Sequence, residues 1–155
     1  PSQNKHLQHV LNIEQSGRVG SIKHEVLANA TTVQEVENCL NEMLIAGIIA
    51  QDEFQALKDG VMEVLKHPEL KAILEKSTEN IIEKNIIDAE GKLHRPDRIV
   101  VHSDGVAIID YKFTLEQTNQ HVEQILNYKD LLSQMGFEKV KSYLFYAVTQ
   151  ELKEV

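Results

Sequence analysis

Two runs of β-branched residues, Arg98 to His102 and Val106 to Tyr111, flank the turn former Ser103-Asp104-Gly105. So short an interval between two strand formers predicts an antiparallel hairpin. With Asp104-Gly105 as a two-residue loop, Ser103 faces Val106, Asp97 stands opposite Lys112 and Ile99 stands opposite Asp110. Side chains two apart on a strand point the same way, so Asp97, Asp110 and Lys112 share one face. Any even loop keeps that face, whereas a three-residue loop turns Asp97 away.

Carboxylates placed side by side on apolar strands repel each other and resist burial unless a cation or a proton accompanies them. A divalent metal is one such cation. Hard carboxylate oxygens suit Mg²⁺ or Mn²⁺, which keep several waters and can take a phosphate oxygen as a further ligand. Lys112 beside that site could hold the attacking water or offset charge growing on a phosphate. The plainer reading is a salt bridge between strand-end charges. A bare Asp-x-Lys arises by chance roughly once in a few hundred residues, but a Pro-Asp one hairpin strand earlier makes the pair more specific.

In order along the chain stand Gly20 to His24, Asp97-Arg98, Asp110-Tyr111-Lys112, and Gln124 with Tyr128. This series resembles the PD-(D/E)XK nuclease superfamily, and more closely its RecB/AddA-like, exonuclease V-like branch fused to UvrD/Rep-type helicases, over most of the chain. The resemblance implies a restriction-endonuclease-like core and a Mg²⁺- or Mn²⁺-dependent deoxyribonuclease, of exonuclease type. It implies metal ligands from His24, Asp97, Asp110 and a backbone carbonyl near Tyr111. It also implies a catalytic lysine at Lys112, with Gln124 and Tyr128 lining the active site. Phe113 departs from the pattern, since many relatives carry threonine after the lysine. Glu83, on the expected first strand, is a second candidate acid, with Glu79 and Glu90 close by in sequence.

At 155 residues, 42% of them hydrophobic, the chain is long and apolar enough for one domain with a proper core. The expectation is a single nuclease domain over 1–155, a fragment of a larger helicase-nuclease, as a start at Pro1-Ser2 without methionine also suggests. No apolar run reaches the length of a membrane span, so no membrane partner is expected. Cys39 is the only cysteine, which excludes an internal disulfide and a four-cysteine cluster and fits a reducing cytoplasm. The net charge of −8 has the wrong sign for a domain that draws in nucleic acid by a broad positive field, so DNA has to be delivered by something else, which the resemblance implies is helicase motor domains in the same or a partner chain. Of three arginines, Arg95 and Arg98 flank Asp97, which makes the available positive charge local, or else balances the aspartate.

The first half of the chain reads as helical: an amphipathic stretch from Asn4 to Gln15, a turn at Gly17 to Gly20, and a helix capped by Ser21 running to about Ala30. Further helices follow, one capped by Thr31 or Thr32 and ending at Gly47, then Gln51 to Lys66 and Glu69 to Lys76, divided before Pro68. The second half alternates. Asn80 to Ile87 reads as a strand turning at Glu90-Gly91, then comes the hairpin, a helix from about Leu115 to Met135, and a strand from Val140 to Val148. The expected class is α/β, a small mixed β-sheet flanked by helices with a helical N-terminal half. On the long helix Gln117, His121, Gln124 and Tyr128 fall along one side, and Gln124 and Tyr128 are the two expected to face the carboxylates. The main expectation is phosphodiester hydrolysis in recombination and double-strand-break repair. The alternative is a catalytically idle module of the same fold that binds DNA or a partner protein.

Overall fold

The computed structural model describes residues 17–80 and 85–155. The helix expected over Asn4 to Gln15 and the acid Glu83 lie outside the described residues. The chain divides into two compact units, one ending at Met62 and one running from Glu63 to Val155.

The first unit is helical. Helix α1 covers 17–29 and takes in both Gly17 and Gly20, so the expected turn there is a turn of helix and Ser21 lies inside it. Each glycine costs a helix about 1 kcal/mol relative to alanine. The start is held from outside: the Arg18 guanidinium donates to both Glu53 carboxylate oxygens, at 2.7 and 3.0 Å, and to the Ile48 carbonyl at 2.6 Å. Helix α2 (Val33–Ile45) starts at Thr32, whose hydroxyl accepts from the Glu35 N–H while the Glu35 carboxylate accepts from the Thr32 N–H. It buries Val36 and Leu40, and Gly47, with φ +73°, ends the run in the left-handed conformation that glycine adopts without penalty. A 3₁₀ turn, Gln51–Glu53, leads into α3 (Phe54–Leu65).

The second unit opens with α4 (Pro68–Glu75), where the proline occupies the first helical position and its missing N–H has no partner to lose. The strands are β1 (Glu79–Asn80), β2 (Ile86–Ile87), β3 (Leu93–His94), β4 (Arg98–His102), β5 (Gly105–Lys112), β6 (Val140–Tyr146) and β7 (Glu151–Glu154), with α5 (Asn119–Gln134) between β5 and β6. A five-stranded mixed sheet runs β1-β4-β5-β6-β7, parallel only between β5 and β6, and a separate two-stranded sheet pairs β2 with β3. The α/β class and the small mixed sheet accompanied by helices are as expected. The single strand from Asn80 to Ile87 is not: Asn80 pairs with Val100 in the main sheet, while Ile86 pairs with His94 in the small one. The Glu90-Gly91 turn therefore closes the β2–β3 hairpin, whose second strand went unread, as did β7.

The expected hairpin β4–β5 forms, in a shifted register. His102 pairs with Gly105 and Ile99 with Ile108, so the two-residue loop is Ser103-Asp104. The loop is even, as the shared face requires, but its displacement brings Asp97 level with Asp110 rather than with Lys112. Gly105 belongs to the strand, and only glycine fits there: a β-carbon would meet the Lys139 carbonyl oxygen at 2.5 Å, at the point where β6 begins. Alternation then sends Ile99, Ile108, Leu144 and Tyr146 to one face, where they bury against Ile125, Tyr128, Leu131 and Leu132 of α5. Full burial of aliphatic side chains of this kind contributes about 2 kcal/mol each. The opposite face carries Tyr111 and Phe145, with His67 edge-on to Phe145 at 5.1 Å.

Gly105→Ala should therefore destabilise the protein by about 1–3 kcal/mol, as overpacking against backbone does. Gly20→Ala, where no described atom lies within 4 Å of the added methyl, should be neutral or stabilising. Urea denaturation of the two variants checks both.

Candidate functional site

The site grows out of the end of the core face on β5. Ile108, Asp110 and Lys112 follow one another along that face, and the first is sealed under α5 while the last is half-exposed. Asp110 sits between these environments, buried and paired with Leu144 on the neighbouring parallel strand. Asp97 lies just before β4, where its Oδ2 accepts the Tyr111 N–H at 2.9 Å, so the carboxylate takes the place of a ladder carbonyl and is pinned beside Asp110.

Burial pushes the Asp110 carboxyl up to about 6, and the adjoining Asp97 carboxylate adds to the rise, while Lys112 opposes it. Lys112 Nζ is 2.6 Å from Asp110 Oδ2, but at an angle that makes no directed hydrogen bond. That oxygen is therefore buried without a hydrogen-bond partner. The Lys112 ammonium is oriented instead toward α5, donating to Gln124 Oε1 at 2.8 Å, and Gln124 Nε2 donates to Tyr128 Oη at 3.1 Å. The Tyr128 hydroxyl is raised above its usual value, first by burial and then by the charges of Asp110 and Asp97.

Five residues singled out from the sequence, Asp97, Asp110, Lys112, Gln124 and Tyr128, thus form one connected cluster within the second unit. Tyr111 contributes its backbone there, while its ring is buried on the other face of the sheet and its hydroxyl is pushed upward by that burial. His24 lies half-buried on α1 in the first unit. Arg98, pairing with Ile109, is buried on the Tyr111 face, so of the two arginines beside Asp97 only Arg95 stays exposed. Gln117 falls before α5 and is bonded to Glu151 of β7 at 2.7 Å. His121 lies near the cluster: its Nδ1 is 3.3 Å from Tyr146 Oη, and burial followed by the Lys112 charge lowers its pKa.

Two neighbours of the cluster could not be read from the sequence. His94 Nε2 lies 2.7 Å from Asp88 Oδ2, and the His94 ring stands edge-on to Tyr128 at 6.2 Å. The hairpin β2–β3 brings them there, and strands of two residues leave no periodic signal. The buried Asp110 carboxylate next to that of Asp97, with a single lysine ammonium against the pair, is a donor set that a hard divalent cation would fit, with Asp97 and Asp110 as its ligands. No protein-family model matches the chain, and no curated protein matches it either.

The raised pKa of Asp110 has a consequence for stability in the presence of a chelator. Between an unfolded value of 3.8 and a folded value of about 6 the native state binds more protons than the unfolded one, so stability falls as pH rises through that window. The loss is on the order of 3 kcal/mol. Asp110→Asn should abolish most of this slope and make the chelated protein more stable at neutral pH, as denaturation midpoints measured at several pH values will show.

Proposed function

We propose that the second unit is the centre of a metal-dependent deoxyribonuclease of PD-(D/E)XK type, related to RecB/AddA-like nuclease domains. The observation that carries this reading is the Asp97–Asp110–Lys112 cluster, in which a buried carboxylate stands beside a second carboxylate with one lysine ammonium against it. A fold selected only for stability would gain by replacing Asp110 with a neutral residue. The order of elements supports the same reading: a hairpin carrying both acids and the lysine, then a helix, then a parallel strand beside the acid-bearing one.

In this reading Asp97 and Asp110 would hold Mg²⁺ or Mn²⁺, with a backbone carbonyl near Tyr111 as a further ligand that the resemblance implies. The bound cation supplies Lewis-acid polarisation of the phosphate and a lowered pKa for the attacking water. Lys112 offsets charge developing on the phosphate or orients the water. Gln124 holds the Lys112 ammonium in position through its carbonyl, and Tyr128 fixes Gln124 from below. That chain of hydrogen bonds holds the lysine between Gln124 and Asp110, with its ammonium 2.6 Å from the Asp110 carboxylate.

The substrate is DNA, and the net charge of −8 calls for its delivery by a helicase motor in the same or a partner chain, in the cytoplasm, during recombination and break repair. No helix among the described residues is long and apolar enough to cross a membrane.

Calorimetry with Mn²⁺ and cleavage of labelled DNA test this together. Asp110→Asn should nearly abolish metal binding. Lys112→Ala should retain it while cleavage falls by about two or more orders of magnitude, the scale of losing one positioned electrostatic group. Undiminished metal affinity in Asp110→Asn, or normal cleavage by Lys112→Ala, would overturn the assignment. DNA binding without metal-dependent cleavage by the unaltered protein would point to an idle module.

A further inference from the structure

Beside the carboxylate cluster a cleft of about 470 Å³ opens between the β2–β3 hairpin and α5, lined by Lys92, His94 and Arg95 on one side and by Gln124, Asn127 and Tyr128 on the other. We propose that this cleft is a subsite for single-stranded DNA, in which Lys92 and Arg95 hold the backbone phosphate next to the one at the carboxylate cluster. The inference rests on the nuclease reading for its position relative to the chemistry, but the binding it describes does not need a metal.

Charge distribution is the first argument. The chain has three arginines. Arg18 is committed to Glu53, and Arg98 is buried on the opposite face of the sheet. Arg95 is exposed at the cleft, and neither it nor Lys92 belongs to an ion pair among the described residues. What sets Lys92 and Arg95 apart from the other exposed cations is their place: both stand on one wall of a cleft that adjoins the carboxylate cluster, where an anion can meet the two together. Glu123 is the acid on the lining. Around them stand neutral hydrogen-bond donors: the amides of Gln124 and Asn127, and that of Gln120 on the same helix.

Preorganisation is the second. The Asp88 carboxylate accepts the N–H of Glu90 at 3.1 Å and of Lys92 at 2.8 Å, and it bonds His94 Nε2 at 2.7 Å. One acid thus ties the turn, the backbone of Lys92 and the imidazole into a fixed unit. The side-chain charge of Asp88 is spent on these bonds, and its carboxyl is held below the usual range by them, led by the His94 bond. A hairpin of two-residue strands would otherwise be loose, and a loose wall would add ordering entropy to every binding event. Continuity with the chemistry is the third argument. Gln124 lines the cleft and also receives the Lys112 ammonium, so a strand lying in the cleft reaches the cluster without leaving the surface. Arginine's planar fork and the Lys92 ammonium suit phosphate oxygens, and such contacts carry no base preference.

Fluorescence anisotropy on the full chain, with EDTA present and a labelled single-stranded DNA of about 12 nucleotides, a length one single-strand groove can cover, tests the subsite apart from catalysis. A Lys92→Gln, Arg95→Gln double variant should bind at least about tenfold more weakly. Its plot of log affinity against log salt should flatten by about 0.7 for each phosphate that the variant no longer neutralises. A Lys76→Gln, Lys141→Gln variant, with the same charge change on other elements, should bind as the unaltered protein does. Equal losses in both variants, no loss in the first, or no DNA binding by the unaltered protein at low salt would each overturn the subsite. If the cleft variant binds normally while Mn²⁺-dependent cleavage persists, the subsite fails and the nuclease reading stands. If binding depends on the cleft but no metal-dependent cleavage occurs, the subsite stands and the nuclease reading fails.

Discussion

A carboxylate buried at the end of an apolar strand, against a second carboxylate, is unstable by itself, and the rest of the second unit is organised around that fact. Asp110 is held there because its flanking residues on β5, Ile109 and Tyr111, are fully buried on the other face, and because β6 closes its side. The strand cannot slide outward to solvate Asp110 without exposing both. Asp97 is fixed next to it by the Tyr111 N–H, so neither acid can escape the other by a change of rotamer alone. The repulsion is therefore built into the backbone, and its remedies are a proton, the Lys112 ammonium or an added cation.

Helix α5 does two things at once. Its buried residues, Ile125, Tyr128, Leu131 and Leu132, close the core over β5 and β6, and that packing sets the distance at which Gln124 meets Lys112. Tyr128 belongs to both roles, since its ring is buried and its hydroxyl receives the Gln124 amide. A side chain that is part of the core makes a rigid support for a polar group one turn away, which is why the lysine's partner is well placed although Lys112 itself is long and flexible.

Much of this was legible in the chain. The two β-branched runs and their turn marked the hairpin, and their parity placed Asp97, Asp110 and Lys112 on one face. Spacing of four put Gln124 and Tyr128 on the same side of a helix. The register was not legible, because Asp104-Gly105 is the stronger local turn signal, whereas Gly105 pairs with His102 as the first residue of β5, where the Lys139 carbonyl leaves no room for a β-carbon. The Gly17–Gly20 segment misled for a similar reason. Its glycines signal a turn locally, and the Arg18 bonds to Glu53 and Ile48, thirty residues and more away, decide for helix. The β2–β3 hairpin, too short for any pattern, hid Asp88, His94 and the cleft they organise.

The amino-acid sequence by itself determined the alternation of apolar and polar positions, and with it the α/β class, the antiparallel hairpin and the common face of the two aspartates and the lysine. These depend on interactions between residues a few positions apart, which the order of side chains dictates directly. Only the tertiary structure decided that Asp97 lies level with Asp110, that Arg98 turns away while Arg95 stays at the cleft, and that Asp88 and His94 stand beside Tyr128. Each of these depends on a contact between segments far apart in the chain, whose geometry is set by backbone approach and core packing rather than by local preference.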